Sequence, residues 1–376
     1  MKILQISNDF FGSKVHANLF KELSKQGIGQ TIYCPVRSAD DIGKNAFTAE
    51  GTDIVYDFVI KPYHRYVYHI KRRTIFRSLQ KKVNFEDVDL CHAATLFSDG
   101  GQAYLINKKY RIPYIVAVRS TDVNNFLAQA PNTWLAGKKI LLNASKIVFV
   151  SPALKEKFCK HWFVKSFLSK IEKKIVIMNN GIDDFWIDNV NEENLQNNHQ
   201  LLYVGTMIRR KNPILLIQTV LDLVAEYPDI KLNIIGSTGE DEEKVLALAN
   251  QYNNSISYHG QINDKRELLK HYRSNTLFVL PSINETFGLV YLEALSQNLP
   301  VVYTKGDGID GLLAENNGVG ITYPTHDNIK EAITKVFSDR NSYSNKGIDF
   351  EQFRWKKIVQ QYINYYNEIN GGTRLS

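Results

Sequence analysis

The stretch from Pro281 to Val302, PSINETFGLVYLEALSQNLPVV, decides the predicted fold because it joins one apolar run to another through a helical pattern. The run before it, Thr276–Leu280, has the length and composition of a buried strand, and Phe287–Gln297 predicts an apolar helix. Two carboxylates accompany this helix, Glu285 just before it and Glu293 inside it. A buried carboxylate is costly unless something pairs with it. The stretch therefore predicts a strand–loop–helix junction whose acidic residues meet a ligand or a partner within the protein.

The same alternation of short apolar runs and helical patterns extends along the whole chain. The predicted strands of the first half are Lys2–Ile6, Gln30–Cys34, Ile54–Val59, Val88–Cys91, Tyr114–Val118, Lys146–Val150 and Ile175–Met178. Those of the second half are Leu201–Val204, Lys231–Ile235, Ser255–His259, Thr276–Leu280, Pro300–Tyr303 and Gly320–Thr322. The predicted helices include Lys14–Lys25, Asp99–Lys109, Ala153–Ile171, Pro213–Ala225, Glu240–Tyr252, Lys265–Arg273, Phe287–Gln297, Asn328–Phe337 and Phe350–Ile369. This alternation favours an α/β fold with parallel sheets that helices cover on both faces.

The length of the chain, 376 residues, suits two domains better than one core. The polar, Asn-rich segment Asp183–Gln200 breaks the alternation once, as is typical of a linker. We therefore predict an N-terminal, acceptor-side domain over residues 1–182, a linker over 183–200, a C-terminal domain over 201–349, and a helix over 350–376 that returns toward the N-terminal domain. Both domains are predicted to be doubly wound and Rossmann-like. Because ligands bind beyond the carboxyl ends of such strands, we expect the ligand site in a central cleft that the two domains face.

Charge and cysteine content restrict the classes of function. The net charge of +7 and the pI of about 9.0 favour an anionic partner, such as a nucleotide, a nucleic acid or an acidic membrane surface. The cysteines Cys34, Cys91 and Cys159 lie far apart in sequence, which indicates reduced thiols in a cytoplasmic protein. The N-terminal apolar patch is too short for a secretory signal, and no run of about 18 apolar residues is present. None of the nine histidines shows metal-ligand spacing, so no metal site is expected.

The junction at residues 281–302 is the first candidate site. A helix that begins near Phe287 would leave its first backbone N–H groups free to bind an anion. The residues of this predicted phosphate cradle are Thr286, Phe287, Gly288 and Leu289. Glu285 and Glu293 would accept hydrogen bonds from sugar hydroxyls. The structural alternative is that Glu293 pairs with a core arginine or tyrosine while Glu285 is solvated.

A second junction, Tyr203–Pro213, has Gly205 at its turn. Three adjacent cations follow, namely Arg209, Arg210 and Lys211. Cations that face a helix N-terminus suit a diphosphate, although a solvated loop before a helix that begins at Pro213 fits the same pattern. The glycine-rich segment Tyr303–Leu312 and the segment Asn8–Ser13 are further candidate loops after strands. Residues 303–312 lack a Gly-Lys-Ser/Thr ending and are not a P-loop.

These motifs, in this order, resemble the retaining GT-B glycosyltransferases of glycosyltransferase family 4. The pattern Pro281-Ser-x-x-Glu285-x-Phe-Gly-Leu-x-x-Leu-Glu293-Ala is similar to the Glu-x7-Glu element of the family. The pattern Gly205…Lys211-Asn212 resembles its phosphate element, and Asn180–Asp183 resembles the element that closes the N-terminal domain. The resemblance implies a GT-B fold, a nucleotide-sugar donor linked to UDP or GDP, and no metal or other cofactor.

The resemblance also implies roles for individual residues. Glu293 would bind the ribose, Glu285 would bind hydroxyls of the donor sugar, and Lys211 would meet the diphosphate. The backbone groups implied near the donor belong to Phe287, Gly288 and Leu289. Gly12 and Ser13 resemble the Gly-Gly loop of the family's N-terminal domain, with serine in place of one glycine.

Two departures from the family pattern concern charged groups. The arginine that usually follows the glycine is Thr206 here, so either Arg209 or Arg210 must supply the second cation. The family histidine at the end of an N-terminal strand is replaced by Arg119. Arg119 either takes over donor binding or changes how the acceptor is handled, and its guanidinium cannot act as a base at neutral pH.

The expected function is transfer of a sugar, with retained anomeric configuration, from a nucleotide diphosphate sugar to an acceptor hydroxyl in bacterial surface-glycan synthesis. One alternative is another GT-B enzyme, such as a nucleotide-sugar epimerase. A nicotinamide-dependent dehydrogenase would need Gly-x-Gly-x-x-Gly after the first strand, and residues 8–13 contain a single glycine. A nucleic-acid-binding protein would fit the charge, but the basic stretches contain no recognised binding module.

Two basic stretches with interleaved aromatic residues lie in the first half. Lys61–Lys82 contains eight lysines and arginines and no acid, and Leu154–Lys174 reads as a basic helix. Such stretches suit an anionic bilayer surface, while two ordinary amphipathic helices would give the same pattern. We therefore expect a cytoplasmic protein that contacts the inner face of the membrane peripherally and uses a lipid-linked glycan acceptor.

Overall fold

The computed structural model describes residues 1–193 and 198–373 and divides into two compact units. The first unit comprises residues 1–150, 154–181 and the C-terminal residues from 355 onward, and the second comprises residues 151–153 and 182–354. Part of the predicted linker, residues 194–197, and the end of the predicted final helix, residues 374–376, lie outside the described residues.

Within the described residues, the first unit contains a parallel sheet of seven strands in the order β3-β2-β1-β4-β5-β6-β7. The bounds are β1 Lys2–Ile6, β2 Gly29–Val36, β3 Thr52–Phe58, β4 Leu90–Ala93, β5 Tyr114–Val118, β6 Lys146–Phe149 and β7 Ile175–Ile177. Strand β1 pairs in parallel with both of its neighbours: Ile3 lies opposite Gln30 of β2 and opposite Leu90 of β4. The strand order reverses between β1 and β4, which creates the crevice where doubly wound sheets bind ligands.

The described part of the second unit contains a parallel sheet of six strands in the order β10-β9-β8-β11-β12-β13. The bounds are β8 Gln200–Val204, β9 Lys231–Ile235, β10 Ile256–Tyr258, β11 Leu277–Val279, β12 Val301–Thr304 and β13 Gly318–Ile321. Here the order reverses between β8 and β11. The loops after these two strands therefore flank the crevice of the second unit. The two parallel sheets confirm the predicted α/β class with two doubly wound domains.

Helices connect the strands, as a parallel sheet requires. Their bounds are α1 Lys14–Lys25, α2 Tyr68–Lys82, α3 Gly100–Tyr110, α4 Trp134–Asn143, α5 Pro152–Lys160, α6 Trp162–Lys165, α7 Asp184–Asp188, α8 Pro213–Leu223, α9 Glu242–Gln251, α10 Lys265–Ser274, α11 Leu289–Ser296, α12 His326–Ser338 and α13 Trp355–Thr373. Helix α7 lies within the range that the sequence predicts as linker. In the described part of the chain, no helix combines the length and the apolar character needed to cross a membrane.

Helix α13 is built into the core of the first unit. Its side chains Trp355, Ile358, Tyr362 and Tyr366 belong to the same buried cluster as residues of β1, β2 and α1. The Trp355 ring lies so close to Gly181 that a Cβ there would sit 2.5 Å from it. Helix α13 is therefore part of the fold of the first unit.

The prediction of one helix over Ala153–Ile171 is wrong. Helix α5 ends at Lys160, α6 lasts four residues, and short 3-10 turns follow. His161 adopts an extended backbone between α5 and α6, and its ring packs 5.1 Å from that of Trp134. Packing between aromatic rings here overrides the helical periodicity of the sequence.

Candidate active site

The crevice of the second unit lies where β8 and β11 end. Residues 205–212 lead from β8 to α8, and residues 280–288 lead from β11 to α11. Two hydrogen bonds hold these loops together: Ile283 N donates to the Arg210 carbonyl at 2.7 Å, and Asn212 Nδ2 donates to the Pro281 carbonyl at 2.7 Å. The loops that carry the candidate residues therefore form one connected structure.

Lys211 folds back over the turn at Gly205. A Cβ at position 205 would lie 3.2 Å from Lys211 Cδ and 3.3 Å from Lys211 Nζ, so glycine leaves room for the lysine side chain. The Lys211 side chain is 14% exposed. Burial lowers its pKa, the positive charge of Arg210 lowers it further, and the charge of Glu285 raises it. The ammonium group is thus held close to the backbone at the strand end.

Glu285 is the acidic group of this cluster. Its Oε2 atom lies 3.7 Å from Arg210 Nη1 and 3.9 Å from Lys211 Nζ, and its Oε1 atom accepts a hydrogen bond from Thr286 N at 3.1 Å. Oε2 is buried and, among the described residues, has no hydrogen-bond partner. A buried carboxylate oxygen without a hydrogen-bond donor is costly, and here the nearby charges of Arg210 and Lys211 offset part of that cost.

The geometry distinguishes the two arginines that could supply the second cation. Arg210 lies beside Glu285, whereas the Arg209 side chain is 85% exposed and points toward Glu240 at 3.7 Å. Thr206, which stands where the family usually has arginine, accepts a hydrogen bond from the Ser237 hydroxyl at 3.2 Å. Arg210 is therefore the cation that the fold brings next to Lys211.

The start of α11 depends on a glycine. Gly288 has φ of +74°, and a Cβ at this position would lie 2.5 Å from the ring of Tyr291. Phe287 is buried, and α11 begins at Leu289 rather than at the predicted Phe287. Thr286, Phe287 and Gly288 therefore form the loop immediately before the helix, at the end where the helix dipole favours an anion.

The glycine-rich loop after β12 packs against the same junction. Gly308 N donates to the Glu285 carbonyl at 2.9 Å, and Asn284 N donates to Asp307 Oδ2 at 2.6 Å. Gly308 has φ of +54° and lies close to the Phe287 carbonyl. This third loop thus supports the backbone that positions Glu285.

Glu293 lies on α11 and meets partners from other elements. Tyr272 donates its hydroxyl to Glu293 Oε2 at 3.1 Å. Burial raises the pKa of Glu293 to about 7; the Tyr272 hydrogen bond and the charge of Lys265 lower it, and the charge of Asp183 raises it. Asp183 and Lys265 are themselves paired. The tyrosine contact is the structural alternative that the sequence left open, and a raised pKa shows that it does not fully compensate burial.

In the first unit, Gly12 and Ser13 lie between β1 and α1. Gly12 N and Ser13 N both donate to the Asp9 carbonyl, at 3.1 and 2.9 Å. The Ser13 hydroxyl caps α1 by accepting from His16 N at 3.2 Å. Gly12 is exposed. These residues form the turn at the crevice between β1 and β4.

Arg119 follows β5 and is buried, with 9% of its surface exposed. Its Nε donates to the Ala94 carbonyl at 3.2 Å, and its Nη1 donates to Asn180 Oδ1 at 3.4 Å. Burial, followed by the charge of Arg119, holds the pKa of His92 at about 3 and that of His16 well below its ordinary value. Arg119 is thus a fixed positive charge beside two neutral histidines.

Several polar groups near these residues could not be predicted from the sequence. Tyr272 comes from α10, and nothing in the local pattern links it to Glu293. In the first unit, Asp122 accepts hydrogen bonds from the backbone N–H groups of Leu96, Phe97 and Arg119, at 2.9 to 3.0 Å. The short spacing between Arg119 and Asp122 is the one signal that could have indicated this contact. Over the described ranges, no three histidines, cysteines or acidic residues are grouped so that they could hold a metal ion.

Comparison with known proteins defines the class to which this fold and site belong. The Glycosyltransferase Family 4 model matches residues 12–184, and the Glycosyl transferases group 1 model matches residues 184–348. The chain therefore belongs to the family 4 (group 1) glycosyltransferases and has the GT-B fold.

Relatives of the chain include enzymes of surface-polysaccharide synthesis. It is 24% identical over 363 residues to TuaC of Bacillus subtilis (strain 168), a glycosyltransferase provisionally assigned to teichuronic acid biosynthesis, with 89% of each chain covered. It is 26% identical to the capsular polysaccharide biosynthesis glycosyltransferase CapM of Staphylococcus aureus, over 72% of this chain and 74% of CapM.

Solved structures agree in fold. The sucrose-phosphate synthase of Thermosynechococcus elongatus aligns with a TM-score of 0.74 at 18% identity, covering 99% of this chain and 100% of that one. The Anabaena protein HepE, solved in complex with UDP and glucose, aligns with a TM-score of 0.65 at 15% identity, covering 97% and 99%. At these identities the likeness shows the fold alone.

Proposed function

We propose that this glycosyltransferase moves a sugar from a nucleotide diphosphate sugar to an acceptor hydroxyl with retention of the anomeric configuration. The observation that carries this proposal is the cluster of Glu285, Arg210 and Lys211 at the crevice of the second unit. Both cations lie 3.7 to 3.9 Å from Glu285 Oε2, beyond hydrogen-bond distance, so their N–H groups are not committed to the carboxylate. They remain available to the oxygens of a diphosphate, while Oε2 remains available to a sugar hydroxyl.

The parts of the donor would divide among the three elements of the site. Lys211, Arg210 and the first N–H groups of α11 would bind the diphosphate. Glu285 would orient the sugar through its unpaired oxygen, and Glu293 would bind the ribose hydroxyls. Gly288 has no side chain that would stand between the donor and the backbone at the start of α11.

Bond cleavage would place new negative charge on the diphosphate. As the acceptor oxygen bonds to the anomeric carbon, the bond from that carbon to the phosphate oxygen breaks and its electron pair stays with the diphosphate. The cations and the helix N-terminus are positioned in advance to stabilise this charge. The acceptor hydroxyl would approach on the face that the diphosphate leaves and would give its proton to a phosphate oxygen. Arg119 would contribute a fixed positive charge in the first unit and no proton transfer.

The nature of the donor and the pathway are proposed from the relatives. HepE was solved with UDP and glucose, which supports a UDP-linked sugar, with a GDP-linked sugar as the other candidate. TuaC and CapM carry the names of surface-polysaccharide pathways, which supports a role in bacterial surface-glycan synthesis on the cytoplasmic side. With two cations at the diphosphate, we propose a reaction without a metal ion.

We further propose that the first unit contacts an anionic membrane that presents a lipid-linked acceptor. Tyr66 and Ile70 are 76% and 51% exposed, and Arg73 and Arg77 are exposed as well. Ile70, Arg73 and Arg77 are spaced at i, i+3 and i+7 and lie on one face of α2, and Tyr66 lies in the segment just before this helix. Apolar residues beside cations suit the interface of an anionic bilayer.

The function is tested first by a thermal-shift screen against UDP, GDP, ADP and their sugars, since a specific ligand stabilises the fold by mass action. The donor found in this way is then incubated with and without acceptor glycans, and the product is analysed by NMR. Transfer with retained configuration, unaffected by a chelator, is expected. A product that forms without any acceptor would instead indicate the epimerase alternative.

Membrane contact is tested by sedimentation with liposomes. Binding should rise with anionic lipid, fall with salt, and drop in the double variant Tyr66→Ser and Ile70→Ser. The matched control is Leu246→Ser, which removes an exposed apolar side chain on α9. Equal recovery with neutral and anionic vesicles would exclude this contact and favour a soluble acceptor.

A further inference from the structure

The crevice of the first unit contains a cavity of about 360 Å³. Residues that follow β1, β2, β4 and β5 line it together with residues of α2, so it occupies the strand ends where doubly wound sheets bind ligands. A smaller cavity of about 250 Å³ adjoins it and shares Arg37, His64 and Lys71 with it. The two cavities therefore meet at a wall made of basic residues.

Two of these basic residues, Lys71 and Arg37, have positively charged side chains. Lys71 lies on α2, and Arg37 follows β2. Within residues 1–193 and 198–373, neither side chain makes a hydrogen bond or an ion pair to its charged end. Burial lowers the pKa of Lys71, the charge of Asp99 raises it, and the charge of Arg37 lowers it again. Both side chains line the wall that the two cavities share, so their positive charges repel each other there. An anion between them would relieve this repulsion.

His64 adds a third donor, and the structure fixes its tautomer. His64 is 1% exposed, and its Nδ1 accepts a hydrogen bond from Lys61 N at 3.0 Å. Nδ1 is therefore unprotonated, and the proton of the neutral ring lies on Nε2. Nε2 is buried and has no hydrogen-bond partner in the part of the chain that the structure describes. A buried N–H donor without an acceptor is costly, which indicates that a ligand supplies the acceptor.

The other end of the larger cavity differs in character. Asn8, Asp9 and Thr95 provide polar groups, and the rings of Tyr68 and Phe126 provide apolar surface. Polar groups beside aromatic rings suit a sugar, which presents hydroxyls at its edge and C–H groups on its face. A cavity with a sugar-like end and a cationic end fits a single ligand that has both parts.

From this arrangement we propose that the cavity binds the acceptor and that Arg37, His64 and Lys71 recognise a phosphoryl group attached to the acceptor sugar. The inference rests on the proposed glycosyltransferase function and specifies its acceptor class. Donors from three separate elements suit a tetrahedral phosphoryl group, whose oxygens point in several directions, better than a planar carboxylate, which a single arginine satisfies in one plane.

The acids near the cavity do not cancel the positive charge. Asp99 accepts hydrogen bonds from Asn8 N at 3.0 Å and from the Thr95 hydroxyl at 2.9 Å, so its charge is met by its own neighbours. Asp9 lies at the end where the sugar hydroxyls would bind. Two sources could supply the phosphoryl group: a soluble sugar phosphate and a sugar diphosphate joined to a lipid.

The test is calorimetric titration of the full chain in the presence of saturating UDP, which occupies the donor site so that phosphate probes report on the other cavity. The probes are hexose 1-phosphates, the matching methyl hexosides, hexuronic acids, and a hexose diphosphate joined to a short isoprenoid chain. Binding of a phosphorylated probe with no binding of the methyl hexoside is expected. Tighter binding of the isoprenoid probe would identify the lipid source, and equal binding would identify the soluble source.

Substitutions connect this binding to the cavity. Lys71→Gln and Arg37→Gln should each weaken the phosphorylated probe about tenfold or more, as loss of a charge-assisted hydrogen bond implies. The control Lys81→Gln removes an exposed charge from the same helix and should have no effect. Equal affinity of the phosphorylated probe and the methyl hexoside, preferred binding of the uronic acid, or unchanged affinity in Lys71→Gln would overturn the inference. If the inference is overturned, a separate titration with UDP shows whether the donor site still binds its nucleotide. UDP binding would then leave the proposed glycosyltransferase function intact.

Discussion

Raising the pH from about 6 to about 8 should strengthen binding of the nucleotide sugar about tenfold. The cause is Glu293, whose pKa burial raises to about 7. Ribose hydroxyls donate hydrogen bonds, so they bind the ionised carboxylate and compete with its proton. Below the pKa, binding therefore requires that Glu293 release its proton. Above the pKa the carboxyl is already ionised, so no proton has to be released.

The magnitude follows from the fraction of ionised carboxyl. With a pKa of about 7, roughly one-tenth of Glu293 is ionised near pH 6 and roughly nine-tenths near pH 8. If only the ionised form binds, the apparent affinity changes by about tenfold, or about 1.4 kcal/mol. Close to one proton should be released per bound ligand near pH 6, and close to none near pH 8.

The assay is calorimetry in pairs of buffers with different ionisation enthalpies, which counts the released protons. The ligand should be the nucleotide sugar, because each of its phosphates has an ester bond and shares an anhydride bond and so does not ionise near pH 6, whereas the terminal phosphate of a nucleoside diphosphate has its own pKa near 6. Glu293→Gln provides the reference: it should bind more weakly near pH 8 and show no pH dependence. The same pH dependence in wild type and variant would refute the assignment of Glu293 to the ribose.

The same variant tests the cost of this carboxyl in the free protein. The pKa of Glu293 is about 7 in the folded protein and 4.5 in the unfolded reference. The free energy of unfolding therefore falls as the pH rises from about 4.5 to 7, and above 7 the full loss of stability is reached. The difference of about 2.5 pKa units corresponds to about 3 kcal/mol. Glu293→Gln should therefore raise the free energy of unfolding near pH 8 and leave it unchanged near pH 4, as urea titrations can show.

Two further substitutions test the phosphate end of the donor site. Lys211→Ala should lower kcat/KM by about 100- to 1000-fold through lost stabilisation of the leaving diphosphate, whereas Arg209→Ala, which removes an exposed cation two residues away, should stay near wild type in steady-state assays. Unimpaired turnover in Lys211→Ala would remove this lysine from the mechanism. Gly288→Ala and Gly260→Ala both place a side chain at positive φ, but only position 288 lacks space for a Cβ. Denaturant unfolding should show a loss of about 1–2 kcal/mol for Gly260→Ala and about 1–3 kcal/mol more for Gly288→Ala, and equal losses would contradict the packing argument.

The strand pattern could be predicted from the sequence because each buried strand is a short apolar run between turn signals. Lys2–Ile6, Tyr114–Val118 and Lys231–Ile235 match the structure at both ends, and the remaining strands differ by a few residues. Helices that depend on tertiary packing were harder to predict. The periodicity over Ala153–Ile171 indicates one helix, but the ring contacts of Trp134 with His161 and Trp162 require the chain to turn.

In the candidate site, contacts between residues close in sequence could likewise be predicted, and contacts that depend on tertiary packing could not. Gly205 and Lys211 are close in sequence, and a strand-to-helix turn brings them together, so their pattern could be recognised directly. The pairing of Arg210 rather than Arg209 with Glu285 depends on the exact course of a 3-10 turn, which residue types do not determine. The contact of Glu293 with a tyrosine from another helix likewise depends on how helices pack on the sheet.

The two units place a costly carboxyl near the same topological position. Glu293 lies on the helix that follows β11, and Asp99 precedes the helix that follows β4; burial raises the pKa of each to about 7. Asp57 differs, because the Tyr33 hydroxyl and the charge of Lys82 help to outweigh the effect of burial and lower its pKa.

Asp99 accepts hydrogen bonds from Asn8 N and the Thr95 hydroxyl, whereas the hydrogen bond that Glu293 accepts comes from Tyr272. The raised pKa of Glu293 therefore suits a group whose remaining partners arrive with a ligand. The free energy that burial of Glu293 costs in the empty protein then becomes part of the selectivity, because ligands with hydrogen-bond donors at this position satisfy the carboxylate and others leave it unpaired.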